Sequence, residues 1–460
     1  MQVQPTSFVR NAFLNFLGQL VPAVIGAAAV PFFLRGLGTE RFGVLSLGWL
    51  ILSYFTMFDL GLGRATAKYL SQALVDGTGK QIRQLVWTAM TIQALLGFLG
   101  AFLIVVLTPA LVGQVFKISP QLVGEARISF YLLAVAVPAA LLSGPVSGVL
   151  EAKQRFDVLN AVRVLSGALI ALFPLAGLLF SLSLPGVVAL LVLARLAAFG
   201  MLAAVTLRAA PEVKRYALCL SLLPRLLSFG SWVMVSNLAW PLLFYLDRFL
   251  ISWLVGIKEF AYYQIAHQVI NVTQFAAAGV AGAMFPAVSR AEAKGSREDI
   301  GRLYRHSLKT VGLIMTPVYC ALAALSESIL GLWIGGGETK RAADALRVLA
   351  AGGLAVSVLQ VPYTLLHAVG RADVTAKMYL IQVLSYPALL WLLIAKWGLV
   401  GASAGWSARA WVFGTALLLR CREVLHEGRD LASAHTGIAE AVTRGGDAGR
   451  ARGTGSASGR

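Results

Sequence analysis

Long apolar stretches separated by short polar loops fill most of this chain, and they constrain its fold more than any other feature. A bilayer core of about 30 Å requires about 20 apolar residues in each helix that crosses it. By this rule the sequence predicts twelve spans, with approximate cores at residues 11–34, 42–62, 85–112, 127–150, 159–181, 185–207, 229–254, 260–287, 307–332, 345–368, 375–395 and 399–420. No stretch predicts a strand at bilayer depth, because open sheet edges cannot be hydrogen-bonded in lipid. We therefore predict an all-α polytopic membrane protein.

Composition and charge agree with this class. Of the 460 residues, 58% are hydrophobic and 13% are charged, and no soluble globule hides that much apolar surface from water. The net charge of +18 does not indicate nucleic-acid binding, because lysine and arginine cluster in short loops between the apolar stretches and in the C-terminal tail. Most of these loop residues follow the even-numbered spans, which predicts that both termini face the cytoplasm.

Three short patterns occur twice, in the same order. Leu150–Val158 and Leu366–Val374 share Leu, Ala, Arg, Asp and Val in register, 216 positions apart. An A-R-x-x-x-F-G pattern that begins at Ala194 begins again at Ala408, and Gly38–Phe42 is echoed 218 positions later. The order and the similar offsets indicate a duplicated half.

The duplication predicts two pseudo-symmetric lobes of six helices each. The N-lobe would cover residues 1–208, a connector residues 209–225, and the C-lobe residues 226–421. Residues 422–460 are polar and rich in glycine, alanine and arginine, so that segment is predicted to be a disordered cytoplasmic tail.

Two arginines occupy equivalent places near the middle of spans 6 and 12. Arg195 and Arg409 belong to the repeated pattern, and a charge at that depth is costly unless it faces protein or water. In parallel repeats the two guanidiniums would line opposite sides of one cleft and bind a phosphate or pyrophosphate group. The alternative is that each arginine tethers its own helix to neighbouring carbonyls or a carboxylate.

A second polar group breaks the repeat. Asp247 and Arg248 lie in span 7 and His267 in span 8, a few residues from the outer end of each. An aspartate beside a histidine would bind and release a proton during transport, whereas an aspartate neutralised by the adjacent arginine would be structural. Neutral residues such as Gln264 and Gln382 would either bind sugar hydroxyls or join neighbouring helices.

Other charged residues mark the predicted cytoplasmic rim, where they would gate the cleft. These are Asp59, Arg64, Lys68, Arg155 and Arg371. No metal site is predicted.

Enzymatic function is disfavoured by two features. All loops are short, whereas membrane enzymes that polymerise or transfer sugars usually need a sizeable outer domain, and no G-x-x-x-x-G-K-[ST] sequence for ATP is present. We predict no catalytic residues and no cofactor.

The sequence also resembles a known family. Motifs similar to landmarks of bacterial oligosaccharide flippases occur at Gly38–Gly43, Phe58–Thr66, Leu246–Ile251, Phe285–Arg290 and Gly370–Asp373. These flippases form the polysaccharide-export branch of the multidrug, oligosaccharidyl-lipid and polysaccharide exporter superfamily. The likeness covers residues 8–420.

The resemblance implies a function. It implies that two six-helix lobes carry an undecaprenyl-linked oligosaccharide, attached through pyrophosphate, across the bacterial inner membrane by alternating access, with a proton or sodium ion as possible coupling ion. Implied partners are membrane lipids, a polysaccharide polymerase and glycosyltransferases, and the chain would act as a monomer. The alternatives are a multidrug exporter of the same fold, which requires an acidic or neutral cleft, and a membrane-embedded glycosyltransferase or polymerase.

Overall fold

A computed structural model describes residues 5–57, 62–76, 79–224, 243, 245–335 and 339–451. Within the helices, the side chains of residues 5–19, 56–57, 64, 75–76, 293, 372, 424 and 426–451 are outside the description. The secondary structure of the described residues is helical and contains no strand.

Thirteen helical segments follow one another along the described chain. They are α1 (Pro5–Leu37), α2 (Thr39–Met57), α3 (Leu62–Asp76), α4 (Gly79–Ala110, continued by a π-helical turn at Leu111–Val115), α5 (Val123–Ala152), α6 (Phe156–Leu179), α7 (Leu184–Ala209), α8 (245–254), α9 (Ile257–Ala293), α10 (Arg297–Ala324), α11 (Ser326–Ile334), α12 (Thr339–Ala368) and α13 (Ala372–Ala451). Short 3₁₀ turns at Pro211–Lys214 and Leu220–Leu222 follow α7.

Nine segments of the described chain are long and apolar enough to cross a membrane. This count is three fewer than the twelve predicted spans, because the second and seventh spans are not among the nine and the eleventh and twelfth are counted as one. The second corresponds to the 19-residue α2, and the seventh lies mostly outside the described residues, where only its end is seen as α8. The eleventh and twelfth both lie in α13, which is interrupted at Gly398 by a non-helical backbone (φ 54°, ψ −128°).

Close helix contacts in the N-terminal half depend on glycine. A Cβ added to Gly97 of α4 would lie 2.6 Å from the Cα of Pro138 in α5, and one added to Gly148 of α5 would lie 2.6 Å from the carbonyl oxygen of Gly63 in α3. Small residues at such points let helix backbones approach, which is how membrane helices gain packing energy without a hydrophobic driving force. The short α3, which the sequence analysis did not anticipate, buries Leu62 and Leu70 against this packing.

The repeated sequences form repeated turns. Gly38 and Gly256 both have positive φ angles, of 79° and 133°, and each carbonyl accepts a hydrogen bond from the amide of the phenylalanine four residues later, at 3.0 and 3.1 Å. Positive φ favours glycine because it has no Cβ.

A second turn is also duplicated. Gln154 and Gly370 occupy the same place in the repeat and have φ angles of 57° and 77°. The next amide, of Arg155 or Arg371, donates to the carbonyl five positions earlier at 2.9 and 2.8 Å, which closes the end of the preceding helix. The two sequence repeats therefore encode two matching helix–turn–helix connections.

Cα proximity divides the chain into two compact units that differ from the predicted lobes. The first contains residues 1–275, 318–353 and 376–409, and the second contains residues 276–317, 354–375 and 410–460. The boundaries cross α9, α10, α12 and α13, and the division into lobes at residues 209–225 stays a prediction.

The last helix, α13, is described as far as Ala451 and so extends into the segment that the composition predicts to be a disordered tail. The disorder of residues 422–460 stays a prediction.

Candidate functional site

Arg195 borders two cavities in the first compact unit. The first cavity, of about 340 Å³, is lined by residues of α1, α2, α6, α7 and α9. Its hydroxyl and amide side chains are Ser53, Gln264 and Gln268, and no acidic residue lines it among those that the structure describes. This volume is within the range of small-ligand sites.

The second cavity, of about 380 Å³, shares part of its lining with the first. Pro22, Gly167, Ile170 and Arg195 line both cavities, and the rest of the second lining comes from α5, α6 and α7. A Cβ on Gly167 would lie 2.4 Å from that of Pro22, so only glycine allows this contact. Again none of the lining residues is acidic.

The Arg195 guanidinium has no acidic partner in the part of the chain that the structure describes. Its Nε is buried and makes no hydrogen bond there. Arg163, the other basic residue of the second cavity, differs because it pairs with Glu151 at 3.0 Å. Arg195 therefore presents an unneutralised positive charge to the cavities, where an anionic group would bind favourably.

The predicted aspartate, arginine and histidine come together in one buried cluster, together with Tyr263 and Gln264. The Oδ1 atom of Asp247 accepts the Arg248 backbone N–H at 2.8 Å and lies 3.5 Å from its Nη1. Tyr263 donates its hydroxyl to Oδ2. His267 Nε2 lies 3.8 Å from the same oxygen, too far for a hydrogen bond. We call these five residues the Asp247 cluster.

The charged and titratable side chains of this cluster are almost completely buried, whereas Gln264 is half-buried. Asp247 and His267 are 0% exposed, and Arg248 is 2% exposed. Neither ring nitrogen of His267 has a hydrogen-bond partner among the described residues. A buried charge pair of this kind strongly penalises the loss of either partner.

One hydrogen bond joins the Asp247 cluster to the first cavity. Arg248 Nε donates to Gln264 Oε1 at 3.2 Å, and Gln264 lines the cavity that Arg195 borders. Arg248 and Gln264 therefore connect Asp247 to the cavity wall.

The helix that carries Arg409 contacts the Asp247 cluster. Trp406, one helical turn before it, packs edge-on against the His267 ring at 4.9 Å between centroids. The Arg409 guanidinium lies 5.1 Å from the centre of the Tyr386 ring, and its Nη1 is 3.5 Å from Gln382 Oε1. Arg409 does not line either cavity described above. That it shares one cleft with Arg195 stays a prediction.

The predicted rim residues fall into two groups. Asp59 and the side chain of Arg64 lie outside the described residues. Lys68 is exposed, with its ammonium 5.7 Å from the ring of the next residue. Arg155 and Arg371, at equivalent turns of the repeat, each pair with the aspartate two positions later, at 3.1 and 3.3 Å. The gating role of these residues stays a prediction.

The beginning of the predicted connector is fixed to the α5–α6 turn. Lys153 donates to the Ala209 carbonyl at the end of α7, at 2.9 Å, and to the Glu212 carboxylate. Burial is the largest single influence on Glu212 and opposes its ionisation. The hydrogen bond from Lys153, a backbone hydrogen bond and the positive charge of Lys153 together outweigh burial and lower the pKa of that carboxyl below its usual value.

Tyr263, Gln268 and Trp406 were missed by the sequence analysis. Tyr263 and Gln268 share one face of α9 with Gln264 and His267, which the sequence analysis did name, and this polar face is the signal that would have found all four together. Trp406 gives no such signal, because tryptophan is common in membrane helices. No group of three or more His, Cys, Asp or Glu that would hold a metal occurs among the residues the structure describes.

Comparisons with protein families and with curated proteins place these features in context. The family described as "Polysaccharide biosynthesis protein" matches residues 8–292, and the MatE family matches residues 233–392. The "Putative O-antigen transporter" of Shigella flexneri is 28% identical over 414 residues, which cover 90% of this chain and 97% of that protein.

Solved structures share the fold. A multidrug resistance MATE family transporter of the MOP superfamily, in an inward-facing conformation, superposes with a TM-score of 0.76 at 13% identity and covers 89% of this chain and 96% of its own. The lipid II flippase MurJ, in an inward closed conformation, gives 0.74 at 13% identity, covering 90% and 87%. The predicted class, an all-α polytopic membrane protein with the fold of this superfamily, is confirmed.

Proposed function

This chain belongs to the polysaccharide biosynthesis protein family, and from that premise we propose that it is a flippase. It moves a lipid-linked oligosaccharide across the inner membrane by alternating access, as a step in making a surface polysaccharide. The relatives named above are transporters and flippases, so the alternative of a glycosyltransferase or polymerase is set aside.

The observation that carries the proposal is the unneutralised Arg195 guanidinium between two cavities without acidic lining residues. A pyrophosphate bears concentrated negative charge and accepts paired hydrogen bonds from a guanidinium fork. In a site of low dielectric such bonds are stronger than in water. The head group would enter the cavities while the polyprenyl chain stays in lipid.

The runner-up, a multidrug exporter, shares the fold. The match of the MatE family to residues 233–392 and the structural likeness to MATE transporters are compatible with it. Exported drugs are often cationic, and an unpaired arginine would repel them. The charge of the two cavities therefore favours an anionic cargo.

Ion coupling is a further part of the proposal. Asp247 and His267 would bind a proton or sodium ion, and Arg248 would transmit the change to Gln264 at the cavity wall. The burial of Asp247, Arg248 and His267 and the hydrogen bond from Arg248 to Gln264 support this role. Action as a monomer and contacts with a polymerase and glycosyltransferases remain predictions.

Replacement of Arg195 in cells whose surface glycan depends on this protein tests the proposal. We expect Arg195→Ala to reduce surface glycan strongly at normal protein level. Arg195→Lys should keep part of it, because lysine retains the charge but not the planar fork. Arg208→Ala is the matched control: the same residue type on the same helix, exposed in its last turn. Normal glycan with Arg195→Ala would remove this residue from the mechanism.

A further inference from the structure

A pocket in the second compact unit is lined by three arginines. It has a volume of about 320 Å³ and lies between α10 and the part of α13 beyond Gly398. Arg297 and Arg305 come from α10, and Arg422 comes from α13. The buried Tyr304 forms part of its wall, and leucines, among them Leu418, supply its apolar surface.

The charges of this pocket are only partly balanced. Arg297 pairs with Glu292 at 3.1 Å. Arg305 and Arg422 form no ion pair in the described part of the chain. Two other arginines on the same helices are paired. Arg302 and Arg420 each form an ion pair with a carboxylate three or four positions away, at 3.0 and 2.8 Å. Two of the three guanidiniums that line the pocket are therefore not neutralised by a carboxylate of the described residues.

The shape suits a small anion. A Cβ built on Gly301, in the pocket wall, would meet nothing nearer than the Arg305 Nη1 at 3.9 Å, so there is open space beside that guanidinium. A phosphate offers acceptor oxygens to several guanidiniums at once, and arginine is the residue that binds it with paired hydrogen bonds.

Sequence position suggests where the anion comes from. Arg297 and Arg305 lie in the basic loop after span 8, and Arg422 directly follows span 12, both at ends of spans predicted to be cytoplasmic. Basic pockets between membrane helices at this level bind lipid head groups, and leucines beside the arginines would contact acyl chains.

We propose that the three-arginine pocket (Arg297, Arg305 and Arg422) binds a phosphate group at the cytoplasmic membrane surface, with an anionic phospholipid as its natural source. This site belongs to the second unit and is separate from the cavities of Arg195, so it does not depend on the proposed transport function.

Native mass spectrometry of the purified full chain tests the proposal. Binding of phosphatidylglycerol, phosphatidylcholine and inorganic phosphate would be compared for the wild type, Arg305→Ala, Arg422→Ala and the control Arg302→Ala. We expect the wild type to prefer phosphatidylglycerol over phosphatidylcholine. Each pocket variant should weaken phosphatidylglycerol binding about fivefold, because this is roughly the contribution of one basic residue to binding at an anionic membrane surface. Arg302→Ala should bind as the wild type does.

The two ligand arms identify the source of the phosphate. If millimolar inorganic phosphate displaces phosphatidylglycerol from the wild type but not from the pocket variants, the site is supported and its natural ligand is soluble phosphate. Equal binding by wild type and both pocket variants would overturn the proposal, as would an equal loss in Arg302→Ala, which would indicate general surface charge. Because Arg305 and Arg422 are exposed, their variants should retain the wild-type unfolding temperature.

Discussion

Removal of either charge from the buried Asp247–Arg248 pair should destabilise the protein far more than removal of both. The pair is 0% and 2% exposed, and each single loss leaves an uncompensated charge away from water. Such losses cost about 3–5 kcal/mol, whereas replacement of both partners by apolar groups is often close to neutral. In the double variant, Tyr263 still loses its acceptor, which costs about 1–3 kcal/mol. Asp247→Ala and Arg248→Met should therefore be strongly non-additive, by about 3 kcal/mol or more.

Equilibrium unfolding of the purified protein in mixed micelles would measure this double-mutant cycle. The exposed pair of Arg155 and Asp157 provides the control, because the same exchanges there should leave stability unchanged within error. Additive single effects at Asp247 and Arg248 would refute the reasoning, since they would mean that the two charges do not compensate each other. If the double variant folds but does not transport, the cluster has a role beyond structure.

Two further stability predictions follow from the backbone. Gln154→Gly should stabilise the protein by about 0.5–1 kcal/mol in thermal unfolding, because Gln154 has a φ of 57° where the other repeat has a glycine. The control is Gln72→Gly, in an exposed helical position, which should destabilise the protein. Gly97→Ala should cost about 1–3 kcal/mol, since its Cβ would lie 2.6 Å from the Cα of Pro138, while Gly124→Ala, with nothing within 4 Å, should be neutral or stabilising. A gain with Gly97→Ala, or a loss with Gln154→Gly, would contradict these arguments.

The sequence was sufficient to predict the class of fold. Its hydropathy indicates that most of the chain lies in lipid, and long apolar stretches in lipid satisfy their backbone hydrogen bonds by forming helices. The sequence repeats also coincide with the duplicated turns. The glycines Gly38, Gly256 and Gly370 recur there because their φ angles are positive, which other residues adopt only with strain. The sequence singled out Arg195 because a charge in an apolar stretch is rare, and its side chain lies at a cavity. Its role in binding a head group stays a prediction.

Other features depend on tertiary contacts that no local pattern encodes. The hydrogen bond between Arg248 and Gln264 joins two helices, and the contact of Trp406 with His267 joins residues far apart in sequence. The short α3 was missed because it has polar residues between its apolar ones, and the spans were predicted from uniformly apolar stretches.

Transport by the purified protein in liposomes tests the central claim most directly. The measurement is the rate at which a polyprenyl-pyrophosphate-linked oligosaccharide in one leaflet becomes accessible from the other, for the wild type and for Arg195→Ala. Loss of a charge-assisted hydrogen bond is worth about 1.5–3 kcal/mol, so we predict a rate about 10- to 100-fold lower at subsaturating substrate. Equal rates for the two proteins, or no transport by a wild type that is folded and correctly inserted, would contradict the account.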